Sequence, residues 1–415
     1  MRGEELTRLL GLEGVIVEGI VTETAEDVHL AIRPARDLPL CRTCGEPCLL
    51  VHSTRPRAVR HLDAFDRRSW LVFESRMVDC LKCGFGAEAL SFVGPGMRTS
   101  LAFRRWVGGL CALLPLKQVA EHVHVSQDTV RSIDKEYLER EYPPPNYREL
   151  RTIAIDEIAY RKGHKYLTLV LNYDTGEVIW SGEGRREATL AKFFEKVGPA
   201  VSAQIEFVSM DMAAPFMNAV ASWCPKAAVV FDRFHVVKHM NEAVNDTRKL
   251  TMAKADATVR RSVKGKRFVL LRRREKLSET DAGRLEELLT LNTDLTKAYL
   301  MKEDFQQFWT APTLAEATTT LDRWITEAES CKIAPIARVG RMLQSHRAGL
   351  LAYHRNRISN GPLEGLNLKI NVLRRSRYGF RDLDYFGLKI RQLSIARSKR
   401  RHQTYPLVDV NPCAA

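Results

Sequence analysis

The 415-residue sequence lacks any apolar run near the ~18 residues that a helix needs to cross a bilayer. Its opening residues, MRGEELTRLLGLEG, carry acidic side chains and lack the apolar stretch that precedes a signal cleavage site. We therefore expect neither a membrane protein nor a secreted one, and we place the chain in the cytoplasm. The amino-acid composition also lacks the bias of disordered or fibrous chains, because hydrophobic residues make up 45% and charged residues 27%.

Acidic residues are scarce relative to basic ones, with 50 Asp and Glu against 64 Lys and Arg, a net charge of +14. Residues 351–401 hold thirteen bases and three acids, a net of +10, and residues 259–276 hold nine bases and one acid, a net of +8. One basic run is usually a solvated face, but two dense tracts favour contact with the phosphates of double-stranded DNA. The basic residues expected to contact DNA are Arg260, Arg261, Lys264, Lys266, Arg272, Arg273, Arg374, Arg375 and Arg377.

Cysteine is uncommon, but four of the nine cysteines form two C-x-x-C pairs, Cys41 with Cys44 and Cys80 with Cys83. Each pair places two thiolates on one side of a metal ion, and two pairs complete the tetrahedral shell of a structural zinc. Unrelated reduced thiols and disulfides are the alternatives, and a cytosolic chain disfavours disulfides. We predict one structural Zn²⁺ at these four cysteines. Should one of them not be a ligand, the available substitutes are Cys48, His52 and His61.

A helix-turn-helix pattern follows the cysteines. Residues 116–123 predict a short helix, residues 123–126 a turn and residues 127–138 a second helix, with Ser126 as its N-cap. The apolar positions pack inward, which leaves the start of the second helix to face a major groove. A helical hairpin that only packs is the alternative. The residues predicted to contact bases are Gln127, Thr129 and Arg131.

Beyond three prolines at 143–145, which predict a linker, the pattern changes to strands. The order β-β-β-α-β-α-β predicts three antiparallel strands extended by parallel ones, with the first and fourth strands adjacent. Asp156 and Asp211 fall toward the C-terminal ends of those two strands, so their carboxylates should converge. Converging carboxylates repel each other unless cations lie between them, and oxygen ligands suit Mg²⁺. Strand alternation points Glu157 to the opposite face.

A third carboxylate should complete this site, and Glu364 is the candidate. Asn-Gly-Pro at 360–362 predicts the start of a helix on which Glu364, Asn367 and Asn371 share one face. A solvent-facing charge is the alternative for a lone helical Glu. Its position beside two amides favours a role in the site, with Asn367 and Asn371 in support.

These residues resemble the DDE transposases of bacterial insertion sequences, specifically the ISL3 family. The most specific pieces are the two C-x-x-C pairs and the segments IAIDEIAYRKGHKYLTLVLN, VSMDMAAPF, VVFDRFHVVK and SNGPLEGLNLKINVLRRSRYGFRDLDYF. The resemblance extends from about Cys41 to Arg397. It implies a multidomain α+β chain in which a zinc ribbon and a helical helix-turn-helix domain precede a ribonuclease-H-like α/β core. That core has a mixed five-stranded sheet and is interrupted by an all-helical insertion.

The expected division of the chain follows from the pattern and the resemblance together. Residues 1–40 form a segment of unknown role, 41–95 the zinc ribbon, 96–142 the helix-turn-helix domain and 150–238 the first part of the catalytic core. Residues 239–355 form the helical insertion, 356–402 the second part of the core with the third acid, and 403–415 a tail.

The resemblance also assigns the catalytic acids, which are Asp156, Asp211 and Glu364 and which would hold two Mg²⁺ or Mn²⁺ ions. The pair Asp232 and His235 is similar to a D-x-x-H motif on the last strand, which implies a supporting role near the site. Asp232 also ends a central strand and therefore competes with Asp211 for the place of second acid.

The implied function is DNA transposition. The protein would bind the terminal inverted repeats, cleave a strand to leave a 3′-hydroxyl and transfer that end into target DNA. Joining two ends implies a homodimer or higher oligomer on DNA, associated with the bacterial nucleoid. Two other functions remain open, a DNA-binding regulator with an inactive core and a structure-selective nuclease on the same fold.

Overall fold

A computed structural model describes residues 7, 10, 12, 14–64, 66–161, 163–255, 260, 263, 265–291 and 293–402, without the side chains of 291, 293 and 396–402. The chain divides into two compact units, residues 1–143 and residues 144–415, and the division falls within the run of three prolines. Across the described ranges, no helix is both long enough and apolar enough to cross a membrane.

The first unit is built on a five-stranded sheet in the order β1-β2-β4-β3, with β5 added to β4. β2 and β4 run parallel, and the other pairs are antiparallel. The strands that precede Cys41 therefore share one sheet with those that follow it. The strands are β1 Val15–Glu23, β2 Asp27–Pro34, β3 Leu50–Arg60, β4 Arg68–Cys80 and β5 Gly84–Ala87.

Among the described residues of the first unit, three helices follow the sheet: α1 Leu101–Leu113, α2 Leu116–Val123 and α3 Gln127–Glu141. The predicted inward positions of α2 and α3 are buried in one apolar cluster with α1, apart from the half-buried Val125. At Gly108 the helices α1 and α3 approach so closely that a β-carbon would lie 2.3 Å from the ring of Tyr137. The predicted helix-turn-helix is confirmed.

The second unit begins with a mixed five-stranded sheet in the order β10-β9-β6-β7-β8. β6, β7 and β8 are antiparallel neighbours, whereas β9 and β10 extend the sheet in parallel from β6. This is the predicted order with one added short helix. The elements are β6 Thr152–Arg161, β7 Lys165–Asn172, β8 Glu177–Glu183, α4 Glu187–Val197, α5 Pro199–Ala203, β9 Phe207–Met210, α6 Ala214–Trp223 and β10 Ala228–Phe231.

A long helical segment follows β10, as the sequence pattern predicts. Its buried residues form one apolar cluster with one face of the sheet, so the insertion packs onto the core rather than standing apart. The helices are α7 Arg233–Lys254, α8 Arg267–Leu271, α9 Glu279–Leu291, α10 Thr293–Asp304, α11 Gln306–Thr310, α12 Leu314–Ser330, α13 Ala334–Ser345 and α14 Arg347–Arg355, with a 3-10 turn at Arg274–Lys276.

The last two helices, α15 Gly361–Ser376 and α16 Leu383–His402, cover the other face of the sheet. Strand alternation divides the side chains of β6 between the two faces. Ile153 and Ile155 join the cluster that includes the insertion, whereas Ala154 and Ile158 join the cluster of α15 and α16. Because Asp156 has the parity of Ala154 and Ile158, its carboxylate lies on the α15 side.

Candidate metal centre and candidate active site

The four cysteines of the two C-x-x-C pairs lie together at one end of the first sheet. Their sulfur atoms are within 4.8 Å of one another. Each pair is followed by a glycine in the left-handed region, Gly45 and Gly84, both at φ 76°, which closes a tight turn that other residues adopt with strain. Among the described residues, this is the only group of three or more His, Cys, Asp or Glu side chains that could hold one metal ion.

Backbone amides already stabilise negative charge at this cluster. The N–H groups of Cys44 and Thr43 lower the pKa of Cys41 to about 6, and those of Lys82 and Cys83 lower the pKa of Cys80. The thiols of the other two cysteines have raised pKa values; hydrogen bonding to Cys44 is the main reason for the rise at Cys83, to about 12. The donor set thus fits a soft divalent cation, whose charge would complete the deprotonation of all four thiols.

The predicted substitutes have other partners. Cys48 is buried with its thiol directed to the carbonyl of Glu46, 3.7 Å away, and burial raises its pKa. The buried His61 places Nδ1 2.8 Å from Ser100 Oγ, and His52 makes an edge contact with Phe85.

The second helix of the helix-turn-helix presents its beginning to solvent. Ser126 caps it by accepting a 3.2 Å hydrogen bond from the Thr129 amide, as predicted. Gln127 and Arg131 are exposed and Thr129 is half-buried. Arg131 donates to Asp128 at 2.7 Å, an exposed pair that costs little to exchange for a contact with DNA.

Three aspartates lie at one level across three adjacent parallel strands. Ala154 of β6 pairs with Ser209 of β9, so Asp156 and Asp211, each two residues further on, occupy corresponding positions. Phe231 of β10 pairs with Met210, and the amide of the next residue, Asp232, donates to the Met210 carbonyl at 2.9 Å. The charges of Asp232 and Asp211 reach Asp156, since both add to the rise in its pKa that burial mainly causes.

Asp156 lies in the middle of β6 rather than toward its end, which corrects the expected strand position. β6 continues to Arg161 because β7 pairs with it along that stretch, whereas β9 pairs only as far as Ala154. The carboxylate therefore stands just beyond the point where pairing with β9 stops, and we call this break in the strand pairing, with the acids near it, the acidic gap. Burial raises the pKa of Asp156 to about 6, even though the Glu157 amide donates to its Oδ1 at 2.8 Å.

Helix α15 is tied to Asp156 by one side chain. Asn367 Nδ2 donates to Asp156 Oδ2 at 2.7 Å, which joins two residues that are 211 positions apart. Glu364 lies one turn before Asn367 on the same helix, where its side chain is exposed. Its charge acts on Asp232, whose pKa it helps to raise. Asn371 lies one turn beyond and is half-buried.

Asp232 and His235 flank the start of α7. His235 Nε2 is 4.0 Å from Asp232 Oδ2, and its positive charge, when protonated, opposes the rise in pKa at both Asp232 and Asp156. Burial is the main cause of the raised pKa of Asp232. In the described chain the charges of Asp211 and Asp232 act on Asp156 and the charge of Glu364 acts on Asp232, but these four acids do not form a group as close as the cysteines.

Two functional candidates escaped the sequence analysis. Asn360 directly precedes α15 but does not cap that helix with its side chain; its Nδ2 donates to the Ile155 carbonyl at 3.0 Å and its backbone amide lowers the pKa of Asp232. Arg185, in the loop after β8, lies 3.5 Å from Glu157 and stacks on Tyr166. Neither contact has a local signal, because each depends on how distant segments pack. Burial and the charge of Asp211 raise the pKa of Glu157, which strand alternation assigns to the face of β6 opposite Asp156.

The basic residues predicted to contact DNA differ in how much of their charge is already paired. Two of them form ion pairs: Lys266 lies 3.0 Å from Glu287, and Arg272 lies 3.5 Å from Asp281. Arg375 is exposed to solvent. Arg374 donates to the carbonyl of Ala159. The exposed Arg260 donates to the Met252 carbonyl, and Arg273 and Arg377 are half-buried. Arg261 and Lys264 lie outside the described residues.

Comparisons with known proteins agree with this arrangement. Residues 153–390 match a family model described as a transposase of the ISL3 type with a DDE domain, and residues 88–138 match the helix-turn-helix domain of transposase family ISL3. The chain is 32% identical over 389 residues to the transposase for insertion sequence element IS1001 of Bordetella parapertussis, covering 92% of this chain and 95% of the relative. It is 30% identical over 414 residues to the transposase for insertion sequence element IS1557 of Mycobacterium tuberculosis, covering 92% and 93%. The helix-turn-helix domain and the family imply DNA binding, and the DDE domain implies the use of divalent metal. The chain belongs to the ISL3 family of DDE transposases and is a transposase of an insertion sequence.

Proposed function

We propose that Asp156, Asp211 and Glu364 are the catalytic acids, that they hold two Mg²⁺ or Mn²⁺ ions, and that the core around them is ribonuclease-H-like. The observation that carries this proposal is the alignment of Asp156 with Asp211 on adjacent parallel strands, together with the 2.7 Å bond from Asn367 to Asp156. Because Glu364 lies on the same helix as Asn367, that bond supports a position of Glu364 beside the same gap.

The chemistry of the gap fits hard divalent cations. Its donors are carboxylate oxygens, the ligands that such ions prefer. The side-chain oxygens Oδ1 of Asn360 and Asn367 are also buried without a hydrogen-bond partner among the described residues, which is costly unless a cation or a water satisfies them. Burial is the main cause of the raised pKa of Asp156, and the charges of Asp232 and Asp211 add to it; a bound cation would favour the charged form and oppose both effects.

When bound, two divalent ions supply the Lewis acidity that activates a water or a 3′-hydroxyl and that stabilises the leaving oxygen. Asp156 pairs through β6 with the strand that precedes Asp211 and is bonded to the helix that carries Glu364, so it is the acid best placed to contact both ions. Asn367 holds the Asp156 carboxylate in one orientation, which leaves Oδ1 and its remaining lone pairs toward the gap. Asp232 and His235 support the site from the far side.

The first unit contributes recognition. The four cysteines would hold one structural Zn²⁺ that keeps the ribbon folded, and Gln127, Thr129 and Arg131 would contact bases of the terminal inverted repeats. The basic residues of the insertion and of α15 would contact DNA phosphates of the ends or the target. Two ends must be joined, so the active form is a homodimer or a higher oligomer on DNA.

Strand transfer tests the proposal and separates it from its rivals. Purified full-length chain is incubated with Mg²⁺, a labelled duplex that carries the element's end and a supercoiled target plasmid. We expect end-specific nicks with a 3′-hydroxyl and joined products, and we expect Asp156→Asn to lose both while it still binds the duplex. A regulator would bind the end without cleaving it, and a structure-selective nuclease would cut branched DNA as readily as DNA that carries an end.

A further inference from the structure

A cleft in the first unit, which adjoins the predicted base-contacting surface of the helix-turn-helix at Thr129, has a strongly basic lining. Its volume is about 710 Å³, and it lies between the end of β3, the segment before α1 and the turn that precedes α3. Four arginines and one histidine line it, and no acidic residue does so among the described residues. The arginines and the histidine are Arg57, Arg60, Arg68, Arg98 and His124, and α3 contributes Thr129 to the lining.

Two of the four arginines are already neutralised. The buried Arg60 pairs with Asp63, and Arg68 pairs with Asp27 at 2.6 Å. Neither charge is available to a ligand without loss of a paired and partly buried contact. These two residues therefore shape the wall of the cleft.

The other two arginines carry charge that the described residues do not neutralise. Arg57 donates to the Met97 carbonyl at 2.8 Å and stacks over Phe73 at 5.5 Å, but no carboxylate pairs with it. Arg98 is exposed, and no acidic partner lies within ion-pair distance in the described part of the chain. Two cations held on one wall without a counter-charge attract an anion.

The frame around these two arginines is rigid. The Arg60 amide donates to the Arg98 carbonyl at 2.9 Å, and the Ser100 amide donates back to the Arg60 carbonyl at 2.8 Å. Ser100 then caps α1 by accepting from the Phe103 amide at 3.1 Å. The end of β3 is thus joined directly to the helices that carry the helix-turn-helix, so a ligand in the cleft is held in register with α3.

We propose that this cleft binds the phosphodiester backbone of duplex DNA beside the major groove that α3 enters. Thr129, in the first turn of α3, lines the cleft as well as the surface expected to face bases. The backbone strands that border a major groove run past the N-terminal end of a recognition helix, where the helix dipole also favours negative charge. This inference rests on the proposed recognition of DNA ends and adds to it a second contact, which positions the duplex without selecting its sequence.

Salt dependence of DNA binding by the full-length, zinc-loaded chain provides the test. Each phosphate contact adds about 0.9 to the slope of log affinity against log salt, so Arg57→Gln with Arg98→Gln should reduce the slope by about two. Affinity of a mixed-sequence duplex, measured by fluorescence anisotropy, should fall by about tenfold or more. The double variant Arg57→Lys with Arg98→Lys keeps the charge and should keep most of the slope. Arg36→Gln removes an exposed charge that borders a different cavity and should leave the slope unchanged.

An unchanged slope in the double Gln variant, with a melting temperature equal to that of the wild type, would overturn the proposal. So would an equal loss in the Lys variant, since that would assign the effect to packing around Phe73. Among the described residues, Arg98 does not stack on an aromatic ring as Arg57 stacks on Phe73. Arg98→Gln alone should therefore still lower the slope by about one. A slope that does not fall in this single variant would count against the proposed cleft. The wild type could fail to cleave DNA ends while the slope still differs between the wild type and the double Gln variant. That result would refute the proposed end chemistry and leave the proposal for the cleft standing.

Discussion

The side chains of the cysteine cluster come from a short stretch of sequence, whereas those of the acidic gap come from segments that are far apart in the sequence. The cysteines come from two short turns joined by neighbouring strands of one sheet, and backbone amides lower the pKa of Cys41 to about 6 before any metal binds. The acidic gap draws on three strands and a helix that begins more than 200 residues after Asp156. There burial and repulsion raise the pKa of Asp156 to about 6.

Under the proposed function, folding prepares these two sites for two purposes. Amides that stabilise thiolates make the cysteine cluster a site whose metal binding is coupled to folding. The acidic gap holds carboxylates that repel one another, so it gains most when cations and a DNA phosphate arrive together. The first arrangement suits a permanent structural metal, and the second suits ions that take part in chemistry.

The largest effect is expected at the cysteines. Cys44→Ala should remove the bound zinc and unfold the first unit, since structural zinc contributes on the order of 10 kcal/mol to folding. Metal content by atomic absorption and protease resistance of residues 14–143 measure this. Cys48→Ala, at a buried cysteine of the same cluster that is outside the four, should keep one zinc per chain. A stably folded, metal-free Cys44→Ala protein would contradict the structural role.

The next largest effect concerns which aspartate is the second acid. Asp211→Asn should reduce strand cleavage to background, whereas Asp232→Asn should reduce it by about 10- to 100-fold, as expected of a residue that orients the ligands. Single-turnover cleavage of a labelled end, with Mg²⁺ varied, measures both. The reverse order of the two effects would assign the second position to Asp232.

A smaller effect should follow from loss of the Asn367 contact. Asn367→Ala removes the donor to Asp156 Oδ2, and we expect activity or metal affinity to fall by about 10- to 100-fold. Val372→Ala is the control, because that side chain lies on the same helix and is exposed to solvent. Equal losses in the two variants would indicate damage to the helix rather than to the orientation of the acid.

The smallest effect is on stability and depends on pH. The folded-state pKa of Asp156 is about 6 and its ordinary value is 3.8, so the folded chain binds more protons than the unfolded chain between those values. Stability therefore falls as pH rises through that window. Without added Mg²⁺ and at about pH 7.5, Asp156→Asn should melt about 2 to 4 °C higher than the wild type. At about pH 4 the difference should vanish, and a lower melting temperature for the variant at neutral pH would contradict the account.

Local patterns in the sequence predict much of this structure. The C-x-x-C spacing, the cap at Ser126 and the order of strands all depend on neighbouring residues, and each is confirmed. The strands before Cys41 were not predicted, because their pairing partner in β4 follows more than thirty residues later. The position of Asp156 within β6 depends on where β9 stops pairing, which no residue of β6 specifies.

Contacts between distant segments account for most of what the sequence left open at the site. The helix face shared by Glu364 and Asn367 could be predicted, but the donation from Asn367 to Asp156 depends on how α15 crosses the sheet. Asn360 resembles a cap in its local sequence, and its actual partner, the Ile155 carbonyl, lies 205 residues away. The unpaired charge of Arg57 and Arg98 likewise becomes visible only when the acids around them are placed.

Anomalous scattering from Mn²⁺ in crystals of the chain bound to a DNA end would examine the acidic gap most directly. The account predicts two manganese peaks at the scissile phosphate, both in contact with Asp156, one shared with Asp211 and the other with Glu364. Peaks bound by Asp232 in place of Asp211, or a Glu364 carboxylate that remains remote from both ions, would contradict it.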